Sequence, residues 1–206
     1  MALGTVIRTI AASNFITDLA WDGARLWIVD PGVNLIYQFD IVAGVFLRSI
    51  ATPTIDCRGL TWDGRALWVA SNDTNTIYQV DPITGTVMTS IASPDTTPHG
   101  LTWDGRALWL SGNNNDEILQ IDPLSGVVIH RFASPQFLPN GLTWDGRTLW
   151  NVDLSTDLIY QLNPVTGSVI RSAAAPANDG WGLTWDGRTL WHSDTGTNSV
   201  YQIAMN

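Results

Sequence analysis

Gly59-Leu60-Thr61-Trp62-Asp63-Gly64-Arg65-Ala66-Leu67-Trp68 decides the reading of this chain, because the phrase keeps returning. It recurs unchanged at 100–109 and, with Thr for Ala, at 141–150 and 182–191; a looser copy runs from Asp18 to Trp27. Trp21, Trp62, Trp103, Trp144 and Trp185 are spaced by 41 residues, and so are Trp27, Trp68, Trp109, Trp150 and Trp191. Of the 11 tryptophans only Trp181 stands outside both series. Tyr37, Tyr78, Tyr160 and Tyr201 form a third series, with Leu119 in the remaining place. Five copies of 41 residues nearly exhaust the 206 available, which predicts one domain over 1–206 with no linker.

Within a copy, the stretch Gly59–Asp63 alternates apolar with small or polar residues and runs into an Asp-Gly hairpin turn. Arg65–Ala70 reads as a second strand, the polar loop 71–76 breaks it, and Thr76–Asp81 alternates again. A Pro-Ile-Thr-Gly turn and the run Gly85–Ile91 complete the unit. Punctuation every eight to ten residues, with β-branched and aromatic residues between, disfavours helix. Four-strand units of this length predict an all-β fold, a five-bladed β-propeller. The fifth copy stops after its third strand, and Gly4–Ile10 resembles the missing fourth. The N-terminal segment is therefore expected to supply the outer strand of the last blade, closing the ring and covering an open edge.

The chain carries 19 acids against ten basic residues, all arginine, for a net charge of −9. Nucleic acid and anionic membrane are poor partners for such a surface. No apolar run is long enough to span a bilayer, and MALGTVIRTI shows no signal-peptide pattern. Cys57, the only cysteine, beside Arg58, has no partner for a disulfide and no supporting nucleophile motif.

Propeller topology sorts the remaining residues. The Asp-Gly turns belong on the face called the bottom, where Asp explains itself by turn chemistry and the paired tryptophans by packing between blades. Function is expected where copies differ. Thr17, Arg58, His99, Asn140 and Trp181 fall one per blade before the inner strands, at the top of the channel. Asp30, Ser71, Gly112, Asp153 and Asp194 end the second strands. Arg58, His99, Asn140, Trp181, Asp30, Asp153 and Asp194 are the candidate ligand-binding set, in an acidic pocket favouring a cationic or amine-bearing small molecule or peptide. Trp181 would face the cation. His99 and His192 with Asp153 or Asp194 lack metal-ligand spacing, and loops 71–76 and 112–117 do not match a calcium loop; no metal or cofactor is predicted. A monomer is expected.

Asp179-Gly180-Trp181-Gly182-Leu183-Thr184, continuing into Asp186-Gly187 and a strand ending Ser193-Asp194, resembles the Glu-Gly-Trp-Gly-Leu-Thr segment of bacterial and plant-type glutaminyl cyclases. That resemblance implies a five-bladed propeller, cyclisation of N-terminal glutamine, and Trp181 as the active-site tryptophan, with Asp179 where the family has Glu. The chain departs from the family elsewhere. Ile16-Thr17-Asp18-Leu19 stands where a Phe-Thr-Gln-Gly-Leu motif would fall. The catalytic Glu aligns with Ile28, Val69, Leu110, Asn151 or His192, and there is no lysine. The resulting expectation is a non-catalytic binding or scaffold propeller with no catalytic residues; the alternative is a glutaminyl cyclase-like acyltransferase.

Overall fold

A computed structural model describes residues 2–12 and 15–205. Among them there is no helix, and so none long and apolar enough to cross a membrane. The strands form five four-stranded antiparallel sheets. Blade 1 comprises Asp18–Trp21, Leu26–Asp30, Leu35–Asp40 and Val45–Ala51, from the channel outward. The inner strands of blades 2 to 5 are Cys57–Trp62, Pro98–Trp103, Pro139–Trp144 and Gly180–Trp185. Blade 5 is closed by the N-terminus: Val6–Ala11 pairs antiparallel with Ser199–Ile203, Thr9 opposite Tyr201 and Ile10 opposite Val200. This is the five-bladed β-propeller the repeat predicts.

Burial follows from the 41-residue phrase. Second strands are buried along their whole length, whereas outer strands are mostly exposed. Each second-strand tryptophan packs in one apolar cluster with the inner-strand leucine of the next blade: Trp27 with Leu60, Trp68 with Leu101, Trp109 with Leu142, Trp150 with Leu183 and Trp191 with Leu19. These rings are the mortar between blades, each removing on the order of 200 Å² from water. Their indole N–H groups are also satisfied. In every blade the Asp of the Asp-Gly turn accepts the tryptophan Nε1 at 2.8 Å, while its other oxygen caps backbone amides of the turn. Gly64 holds φ +97°, a conformation that favours glycine, and this sharpens the turn.

The channel is narrowed by backbone. Inner strands of blades 2 to 5 bulge just before their leucine. A Cβ on Gly100 would stand 2.3 Å from Asn140 O, and one on Gly182 would stand 2.5 Å from Asp18 Cα. Only hydrogen fits there. Blade 1 carries Asp18 at the repeat position of these glycines. Its carboxylate, wholly buried, accepts the backbone N–H of Leu19 (2.9 Å), Leu60 (2.8 Å), Leu101 (3.3 Å) and Leu183 (3.3 Å). One side chain thus fastens the inner strands of four blades at the axis.

Candidate functional site

Above Asp18, the non-repeating residues before each inner strand meet. Thr17 Oγ1 donates to Arg58 O at 3.1 Å. Arg58 Nη1 lies 3.3 Å from His99 Nε2, and His99 Nδ1 lies 2.8 Å from Asn140 Oδ1. Asn140 Nδ2 donates to Gly180 O at 3.1 Å, which orients its amide and aims its oxygen at the imidazole. One tautomer satisfies both contacts: Nδ1–H donates to Asn140, and Nε2 accepts from Arg58. Trp181 closes the group. The Arg58 guanidinium lies 5.2 Å from the indole centroid, His99 5.3 Å and Phe15 5.8 Å.

This layer is dry enough to shift the imidazole. His99 is 8% exposed, and burial drives its pKa down to about 4. The Asn140 hydrogen bond works against that shift, and the neighbouring Arg58 charge reinforces it. His99 is therefore neutral at physiological pH and can take up a proton. Arg58, paired with Asp56 at 2.8 Å, supplies N–H groups and positive charge beside it. The layer can thus accept a proton, stabilise an oxyanion and stack a planar group, a combination suited to acyl transfer.

Four candidates predicted from sequence, Arg58, His99, Asn140 and Trp181, are brought together. Asp30, Asp153 and Asp194 are not. Each is at most 1% exposed and taken up by amides or hydroxyls of neighbouring loops. Asp30 accepts Gly32 N, Asp153 the Ser155 and Thr156 hydroxyls, and Asp194 the amides of Asp179 and Thr197. Among the described residues no hydrogen bond or ion pair joins them to the Trp181 layer. Burial raises the pKa of Asp30 and of Asp153. Their physical role is the capping of tight loops, so these three carboxylates do not form the acidic pocket expected from sequence. Trp181 likewise differs from expectation, for the cation against it is Arg58 of the chain itself.

Sequence reading missed Asn72, Asn113 and Phe15. Asn113 Nδ2 donates to Asn140 Oδ1 at 3.3 Å; its 2.8 Å approach to His99 Nδ1 is no hydrogen bond in the tautomer that donates to Asn140. Asn72 fits with its amide nitrogen on Pro98 O (2.8 Å) and its oxygen accepting from Arg58 Nε (3.2 Å). The signal was the neighbouring column Pro31, Asn72, Asn113, Leu154 and Thr195, which also fails to repeat. Among the described residues no three of His, Cys, Asp and Glu are grouped to hold a metal. Asn75 and Asp116 instead shape loops 71–76 and 112–117 with left-handed φ of +48° and +53°. Cys57 is buried, and burial raises its thiol pKa, so it is no thiolate.

The family model for glutamine cyclotransferase matches residues 93–205, more than half of the chain and including His99, Asn140 and Trp181. The chain belongs to the glutamine cyclotransferase family. No curated protein matches it by sequence. Among solved structures, Myxococcus xanthus glutaminyl cyclase aligns with a TM-score of 0.83 at 12% identity, over 97% of this chain and 95% of that one. Virginiamycin B lyase from Staphylococcus aureus aligns with a TM-score of 0.57 at 21% identity, over 93% of this chain and 65% of that one. At such identities the likeness is one of fold. The family match supports the cyclase-like alternative of the sequence reading over its non-catalytic one.

Proposed function

We propose that this glutamine cyclotransferase relative cyclises N-terminal glutamine at the top of the channel, releasing ammonia. The observation that carries the reading is the contact layer of Arg58, His99, Asn140 and Trp181, three of which lie in the matched stretch. In the reaction the α-amino nitrogen bonds to the γ-carboxamide carbon, and the C–N bond to the amide nitrogen breaks. The amine enters uncharged. As the new bond forms, its nitrogen becomes acidic and His99 takes the proton, then returns it to the departing ammonia. Arg58 N–H groups hold the oxyanion meanwhile, in a layer shielded from water. Asn140 keeps the imidazole in the required tautomer, and Trp181 stacks on the planar carboxamide.

A second reading, binding of an amine-bearing chain end without turnover, is favoured by a different observation. Positions 28, 69, 110, 151 and 192 hold no carboxylate, and the chain has no lysine. One experiment separates the two: incubation with a glutaminyl peptide, following ammonia release and loss of the same mass from the peptide. Ammonia proportional to protein and abolished by His99→Ala supports cyclisation. Saturable peptide binding with no ammonia would refute cyclisation and leave the binding role.

A further inference from the structure

On the bottom face, far from that layer in the chain's topology, each blade repeats a second column of residues. The turn Asp holds the second-strand Trp in every blade. The third-strand Gln gives its amide to that Asp in blades 1 to 3 and to Thr148 and Thr189 in blades 4 and 5, and one outer-strand position lies opposite that Gln. The outer-strand residue is Arg48 in blade 1, Thr89 in blade 2, His130 in blade 3, Arg171 in blade 4 and Arg8 in blade 5. In blade 1 the Arg48 guanidinium lies 5.2 Å from the Trp27 centroid, and its Nε donates to Gln38 Oε1 at 3.0 Å. Blade 4 repeats the arrangement: Arg171 lies 5.1 Å from Trp150, with Nε on Gln161 Oε1 at 2.7 Å. A terminal nitrogen of Arg171 then donates to Met205 O of the next blade at 3.2 Å.

Blade 3 lacks the guanidinium. His130 reaches the next blade, its Nε2 donating to Val165 O at 3.0 Å, but its ring meets Trp109 edge-on, at 86°. Gln120 gives its amide to Asp104 at 2.9 Å, and its Oε1 has no hydrogen-bond partner among the described residues. A cleft of about 340 Å³ opens here, lined by Asp104, Gln120, His130, Val165 and the rings of Trp109 and Trp144. Trp109 is 2% exposed and reaches it by a small part of its surface, whereas Trp144 is half-buried. We propose that this cleft binds a guanidinium from outside, the side chain of an arginine in a peptide partner.

The chemistry is read from the blades that fill the same place themselves. A planar donor finds the free Gln120 oxygen, an aromatic wall and the charge of Asp104, in a molecule of net charge −9. A guanidinium matches this set better than an ammonium, whose tighter hydration and single charged point suit neither ring nor amide. The proposal is independent of the cyclisation reading, since it uses none of the residues of the top layer.

The test is binding of N-acetylarginine amide to the full chain, followed by NMR shifts of the indole N–H groups. We expect saturable one-site binding in the millimolar range, and several-fold weaker binding of N-acetyllysine amide. His130→Arg, which writes the blade 1 and blade 4 residue into blade 3, should weaken binding at least about tenfold. Val165→Arg, at a 73% exposed turn tip where folding is not at stake, should weaken it too. His130→Ala and Thr89→Arg should leave it within about threefold. Undiminished binding in both His130→Arg and Val165→Arg, loss in Thr89→Arg, or no saturation by tens of millimolar would each overturn the assignment.

Discussion

Replacing Asp18 tests whether a single carboxylate locks the ring. Asp18→Ala removes the acceptor of four buried amides and gives them no substitute. An unpaired buried N–H costs about 1–3 kcal/mol, so the two bonds under 3 Å alone account for about 2–6 kcal/mol. Removing a buried charge returns part of this as relieved desolvation, leaving a net loss of roughly 2–4 kcal/mol. For a chain of this size that lowers Tm by about 5–15 °C. Asp18→Asn should cost about half as much. Oδ1 serves Leu19 and Leu183 while Oδ2 serves Leu60 and Leu101, so an amide satisfies one pair and confronts the other with N–H groups. Burial lifts the Asp18 carboxyl well above 3.8, against the lowering effect of the four amides. A raised folded pKa means that the folded chain binds the proton more tightly. The contribution is therefore complete below the ordinary carboxylate pKa and is lost as pH rises through the folded value. The stability difference between wild type and Asp18→Asn should shrink as pH rises above the ordinary carboxylate pKa. Urea unfolding, with fluorescence and circular dichroism transitions required to coincide, measures it. Asp18→Ala within about 0.5 kcal/mol of wild type, or a pH-independent Asn difference, would refute the axial lock.

Deleting residues 2–11 strips Val6–Ala11 from Ser199–Ile203 and opens the last blade; thermal melting with size-exclusion chromatography should show a loss of several kcal/mol or aggregation. His192 is wholly buried, and burial, opposed by its bond to Gly182 O, lowers its pKa to about 4. The unfolded chain therefore takes up the proton first, and stability should fall by roughly 3 kcal/mol as pH drops from about 6.5 to 4. His192→Asn should remove that contribution and leave the similar one of His99, because Asn151 makes the equivalent bond to Gly141 O in blade 4; an unchanged slope by urea titration would contradict this. If His99 is the proton acceptor, it stays neutral far below the range where a peptide amine ionises. The acid limb of ammonia release should then track the substrate amine, near pH 8, and a limb at the ordinary histidine pKa would argue against the assignment.

Sequence by itself determined the propeller, since a 41-residue period with Asp-Gly turns and paired tryptophans leaves a four-strand unit few other ways to bury its faces. It determined the ring closure too, because a missing outer strand at one terminus matched a surplus strand at the other. It also picked out Arg58, His99, Asn140 and Trp181, for one-per-blade columns converge on an axis and a column that breaks the repeat marks asymmetry there. Tertiary structure alone decided what the acids do. Asp30, Asp153 and Asp194 look like rim charges along the chain, but carboxylates this close to backbone amides and hydroxyls in tight loops turn inward, and the charge is spent on capping. Asp18 shows the same limit from the other side. Its alignment with Gly59, Gly100, Gly141 and Gly182 was visible, yet that four glycines leave room for one carboxylate, and that four blades aim N–H groups into that room, follows only from the distance between strands far apart in the chain.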